Sequence, residues 1–208
     1  LYGGYNHVEP TQITPPMLRN TGWGMQSSMR YELPWHIRRY FEDELTLGFD
    51  FKRTNNTFVF TDTFSRFGKN VNLTQIVAGY SGIFESNNCR LDFQANCFGS
   101  FGGCFNDQTN ADYESLRVGA KNQWIYCRGG LCYLQTMGRT SVSIAARGQW
   151  TTTPLLPSEQ FGLGGYDTVR GYEERVINKD NAIVCNLEFR SAPGSIFPYA
   201  CRRYTDAI

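Results

Sequence analysis

Seven cysteines, two histidines and a glycine-rich run around one arginine are the residues of this chain best equipped for chemistry. The cysteines stand at Cys89, Cys97, Cys104, Cys127, Cys132, Cys185 and Cys201. No two are spaced C-x-x-C, and only His7 and His36 could complete a zinc shell, so the spacing does not favour a metal site. An odd count leaves at least one thiol unpaired within the chain. Scattered cysteines in a strand-rich chain suit an oxidising compartment, or serve simply as small apolar residues; both readings stand. The histidines sit alone, with no acid and nucleophile arranged around them, so no enzyme and no cofactor is implied.

The run FGLGGYDTVRGYEE, from Phe161 to Glu174, poses a different problem. Gly164 and Gly165 permit backbone conformations that a side chain forbids, which lets a loop fold back tightly. Arg170 follows near a tip, and Gly171 lets the backbone press close to a wall. A guanidinium carries a planar fork that suits a carboxylate, so an arginine on a loop packed inside a protein requires an acidic partner. The simpler alternative is a solvated arginine on a surface loop. A phosphate cradle is disfavoured, because G-x-x-x-x-G-K-[ST] is missing and no helical pattern follows.

The segments around this loop alternate with a period of two. In ELTLGFDFKR, Leu45, Leu47, Phe49 and Phe51 face one way against Glu44, Thr46, Asp50 and Lys52. The stretches beginning at Trp23, Arg90, Ser141 and Cys185 repeat the pattern, SLRVGAK (Ser115–Lys121) adds a shorter version, and Asn72–Gly82 is less regular. About seven or eight strands result, most of roughly 9–12 residues, longer than usual for a globular protein and long enough to cross a bilayer at a tilt. Asn55-Asn56 reads as a turn. Trp23, Phe41, Phe60, Phe64, Tyr113, Trp124 and Trp150 lie near strand ends, where interfacial girdles would put them.

Composition agrees with an all-β chain: 21 glycines in 208 residues and 15% aromatics. A net charge of +1 provides no footprint for nucleic acid. No apolar run reaches transmembrane-helix length, and the first residues show no signal-peptide pattern. Alternation alone leaves two folds open. A transmembrane barrel turns its apolar faces to lipid, whereas a soluble sandwich or barrel turns them to its core.

LPSEQFGLGGYDTVRGYEE resembles the signature of two-partner secretion transporters of the haemolysin-activator type, in the superfamily that also holds the outer-membrane barrel-assembly insertase. Its core is Gly164-Gly165 followed by Val169-Arg170-Gly171-Tyr172, and the preceding Leu156–Phe161 favours the secretion branch. Leu45–Thr57 and Asn181–Pro193 also resemble strands of that branch.

The resemblance implies an antiparallel transmembrane β-barrel of sixteen strands in a bacterial outer membrane, preceded by two POTRA domains. It implies a pore that exports an unfolded exoprotein of haemolysin or adhesin type without ATP. The partners would be that exoprotein, through its amino-terminal secretion domain, and outer-membrane lipid. Residues 1–208 would form part of one barrel domain without a POTRA domain, roughly its middle to its three-quarter point. A loop at about 153–180 would fold into the lumen, where Arg170 meets an acid on the inner wall.

Asp206, in a stretch resembling the start of the family's acidic strand motif, is one candidate for that acid; Glu188 and Asp92 are the others. If buried, breaking such a pair would cost about 3–5 kcal/mol. Arg90, Asp92, Arg117, Lys121, Arg147, Glu188 and Arg190 would wet the channel. An insertase relative, or a soluble β-barrel binding domain, are the competing readings.

Overall fold

A computed structural model describes residues 2–8, 18–35, 40–60, 66–67 and 70–191, with side chains left aside at 6–8, 18–23, 55–60 and 66–67. Eight strands form one antiparallel meander: β1 (Tyr2–Val8), β2 (Leu18–Pro34), β3 (Phe41–Phe60), β5 (Asn70–Glu85), β6 (Cys89–Ser100), β7 (Trp124–Met137), β8 (Thr140–Thr151) and β11 (Ala182–Arg190). The two-residue β4 (Arg66–Phe67) pairs with the end of β3. Helix α1 (Asn110–Leu116) interrupts the β6–β7 connection. The short strands β9 (Phe161–Leu163) and β10 (Ile177–Lys179) make a separate ribbon.

The register decides between the two folds that alternation leaves open. Met29 opposes Phe49, Phe49 opposes Ile76, and Leu187 opposes Ile144, so the apolar rows run continuously across the sheet. This apolar face is bare: Met29, Phe49, Ile76, Leu131, Ile144 and Leu187 are all exposed. The opposite face carries Ser28, Asp50, Gln75 and Gln149, and these polar side chains are buried. A soluble sandwich buries its apolar face and wets its polar one. Here the arrangement is inverted, which is the pattern of a barrel wall in lipid. Among the described residues no helix is long and apolar enough to cross a membrane.

The connections are unequal. Those spanning 101–123 and 152–181 lie at one end of the sheet, and the turns at 86–88 and 138–139 at the other. Outer-membrane barrels put long loops outside and short turns in the periplasm, which orients the wall.

Several sequence expectations need correcting. Ser115–Lys121 is not a strand. Thr109 caps α1 through a reciprocal box with Asp112, so the chain enters a helix there and leaves it at Arg117. Arg117 and the exposed Lys121 therefore lie on a connection and not on the inner wall. Asn55-Asn56 makes no turn: β3 runs through it, paired with β2 from Leu18 to Pro34. Cross-strand pairing over that length outweighs the local turn preference of asparagine. β2, β3 and β5 reach 17, 20 and 16 residues, beyond the length expected.

β7 is an additional strand. Its inward Trp124 and Tyr126 are large and buried, and its outward Ile125 and Leu131 are apolar too, so no polar alternation marks it. Trp124 and Tyr113 belong to the core and not to a girdle, while Trp150 is exposed on the outer face. The girdle positions Trp23, Phe60 and Phe64 and the histidines His7 and His36 fall outside the described side chains. Cys97 and Cys127, directly opposed on β6 and β7, form a disulfide, and Cys89, Cys104, Cys132 and Cys185 are free.

Candidate functional site

The connection from β8 to β11 leaves the external end and returns to the strand beside it. Its apolar residues keep it from simply extending into water. Leu155 and Leu156 are buried against Val71, Leu73, Tyr113, Ala120, Trp124 and Tyr126, with Phe98 packed alongside. Tyr126 stacks on Phe98 at 4.6 Å and on Trp124 at 5.2 Å. The loop thus lies on the inner face of the wall, opposite the bare apolar one. A short 3-10 turn, Pro157–Glu159, then carries an acid into this cluster.

Glu159 is 1% exposed. A carboxylate so buried must be paired. Lys52 of β3 donates to one oxygen at 2.7 Å and the Tyr126 hydroxyl of β7 to the other at 2.7 Å. Arg128 and Gln149 donate to the Glu159 carbonyl at 2.8 and 3.2 Å. β3 and β7 are three strand steps apart, about 14 Å along a flat sheet. One carboxylate therefore ties together strands three steps apart across the inner face of the wall.

A second anchor closes the loop at its neck. The Arg117 fork donates to both oxygens of Asp180, at 2.5 and 2.6 Å, and also to the Leu155 carbonyl at 2.5 Å. The Leu155 amide and the Gln160 side chain donate to Asp180 as well, each at 3.2 Å. These donors, with Arg117 foremost, hold the Asp180 carboxyl below its ordinary value against the opposing pull of burial. A carboxylate lowered in the folded state stabilises above its unfolded pKa and loses that contribution as pH falls through the folded one. The neck is therefore expected to stay closed from neutral pH to about pH 5 and to loosen below about pH 4. Hydrogen exchange of the loop amides, corrected for the intrinsic pH dependence, checks this; protection that fades already near pH 6 would contradict it.

The sequence-selected residues occupy the loop's far tip. Gly164 and Gly165 are buried, with φ of +109° and +97°. A Cβ on Gly164 would lie 2.3 Å from the Glu173 carbonyl oxygen, so the two limbs touch only because it is glycine. The Thr168 hydroxyl bridges the Gly164 amide and carbonyl, each at 2.8 Å. Val169, Gly171 and Tyr172 are exposed.

Arg170 pairs with Glu188 of β11 at 2.9 Å and lies over the Tyr166 ring at 5.2 Å. Glu188 also takes Arg190 on its other oxygen at 2.9 Å. Of the other candidate acids, Asp92 takes Arg90 of its own strand, and Asp206 lies outside the described residues. The Arg170–Glu188 pair is open to solvent, 61% and 30% exposed, so the cost expected of a buried pair does not apply to it. Asn186 and Arg147 donate to the carbonyls of Thr168 and Asp167, which adds two wall contacts to the tip.

The loop is therefore held in two zones. Its neck is buried and multiply bonded at the external end. Its tip reaches Glu188, about six residues or roughly 20 Å along β11 from its first residue, toward the short-turn end. Sequence reasoning selected the tip and gave the neck no role. The available signal was Glu159 itself, one acid inside LLPSEQFGL, where burial demands a partner.

No group of three or more histidine, cysteine, aspartate or glutamate residues that could hold a metal occurs among the described residues. Comparison with curated proteins finds no match. Residues 24–201 match the family profile of the haemolysin secretion/activation protein ShlB/FhaC/HecB, and with most of its length inside that match the chain belongs to this family of two-partner secretion proteins of the Gram-negative outer membrane.

Proposed function

We propose that the chain supplies part of the wall and the lumen loop of a pore that passes an unfolded exoprotein of haemolysin or adhesin type. The observation that carries this reading is the loop from 153 to 180, folded against the polar face of a lipid-facing wall and anchored there by Glu159. Transport of this kind needs no catalytic group. It needs a wet wall, which Arg90, Asp92, Arg147, Glu188 and Arg190 furnish, and an obstruction that can shift. The tip suits the moving part, because its pair is solvated and exchanges readily with water. The outer partners are lipid at the apolar face and the exoprotein within the lumen.

Arg170→Ala in the full-length protein is expected to lower secretion several-fold while barrel folding is unchanged. Single-channel conductance in planar bilayers should show altered opening in the same variant. Normal secretion together with wild-type conductance would remove the tip from the mechanism.

A further inference from the structure

The β6–β7 connection, Phe101–Gln123, lies at the external end and forms no part of the loop that obstructs the lumen. It is nevertheless firmly seated. Thr109 and Asp112 cap α1, Tyr113 is fully buried among Val71, Leu73, Leu155 and Leu156, and the Tyr113 hydroxyl donates to the Asn72 carbonyl at 2.9 Å. Arg117 ends this helix in an extended conformation and reaches across to the lumen loop. Its guanidinium bonds Leu155 on the outgoing limb and Asp180 on the returning limb. Beyond it, Val118 is 86% exposed at the rim.

Resting on the pore reading above, we propose that Arg117 is a positioning residue for transport: a clasp by which the external β6–β7 connection holds both limbs of the lumen loop closed. The fork explains why the two limbs meet where they do. Leu155 and Asp180 share one guanidinium, which resists parting of the loop neck while α1 stays seated. Displacement of the external connection, by a chain emerging past the exposed rim, withdraws Arg117 and frees both limbs at once. The gate then answers to the outlet as well as to the tip.

The test compares wild type, Arg117→Ala, Arg117→Lys and the exchange Arg117→Asp with Asp180→Arg, each in the full-length protein in planar bilayers. Barrel folding is monitored by the heat-dependent shift in gel mobility. Arg117→Ala is expected to raise the frequency of wide openings about tenfold. Arg117→Lys keeps the charge but not the fork, and should fall between. The exchange should restore closure in part, which a merely structural role would not predict.

Wild-type opening frequency in folded Arg117→Ala and Arg117→Lys, with Arg170→Ala still altering the channel, would overturn the clasp and leave the pore reading intact. No channel activity in any of the proteins would overturn both. If Arg117→Ala fails to fold, Arg117→Lys and the exchange decide between these outcomes.

Discussion

Replacing Glu159 by alanine is expected to release the neck of the 153–180 loop while the wall strands stay paired. The carboxylate is 1% exposed and holds two groups from different parts of the wall, Lys52 and Tyr126, each at 2.7 Å. Its loss leaves the Lys52 ammonium uncompensated in a crevice and the buried Tyr126 hydroxyl without its acceptor. Removing one partner of a buried ion pair costs about 3–5 kcal/mol. Because the Lys52 side chain keeps 17% of its exposure, water can relieve part of that, and the lower end of the range is expected. Glu159→Gln keeps the volume and an acceptor but loses the charge, and should cost about 1–3 kcal/mol. Hydrogen exchange across residues 153–180 measures the release, and planar-bilayer recordings should show a more frequently open channel. Loop protection equal to wild type in Glu159→Ala would show that the apolar contacts of Leu155 and Leu156 hold the neck unaided.

The second large effect is expected at the tip, from Gly164→Ala. The residue sits at φ +109°, a region that side-chain-bearing residues avoid at about 1–3 kcal/mol. The added methyl would also stand 2.3 Å from the Glu173 carbonyl oxygen, which is backbone and cannot swing aside. One limb must move, and the Thr168 bridge across Gly164 goes with it. Thr168 in turn accepts from Asn186 of β11, so the disturbance reaches the wall. The variant should fold its barrel normally and lose secretion at least as severely as Arg170→Ala. A crystal or cryo-electron microscopy structure with the Arg170–Glu188 pair unchanged in Gly164→Ala would refute the argument.

Much of the wall was legible because its physics is periodic. Leu45 to Phe51, Leu91 to Cys97 and Cys185 to Phe189 alternate cleanly, and each apolar row lies on the lipid face. What was illegible had two faces alike or a local signal overruled. Trp124–Met137 carries apolar residues on both sides, because its inner face packs on the loop, so the alternation vanished where the wall meets Leu155 and Leu156. Ser115–Lys121 alternates by accident at the end of a capped helix.

Within the site, the tip announced itself through glycine and arginine, whose chemistry is local. The neck did not. Lys52, Tyr126 and Glu159 are distant in the chain and come together only once the sheet has formed, and Arg117 meets Asp180 across two separate connections.

The double grip of Glu159 has a mechanical side. Lys52 and Tyr126 sit on strands three steps apart, and one carboxylate ties them like a cross-brace inside an arch. Flattening the wall would lengthen the chord between those strands and pull the carboxylate off one of them. On the pore reading proposed above, the curvature of these strands and the position of the loop are linked. A wall that flattens here must surrender the brace, and a loop that withdraws removes one constraint on the curvature of the four strands from β3 to β7.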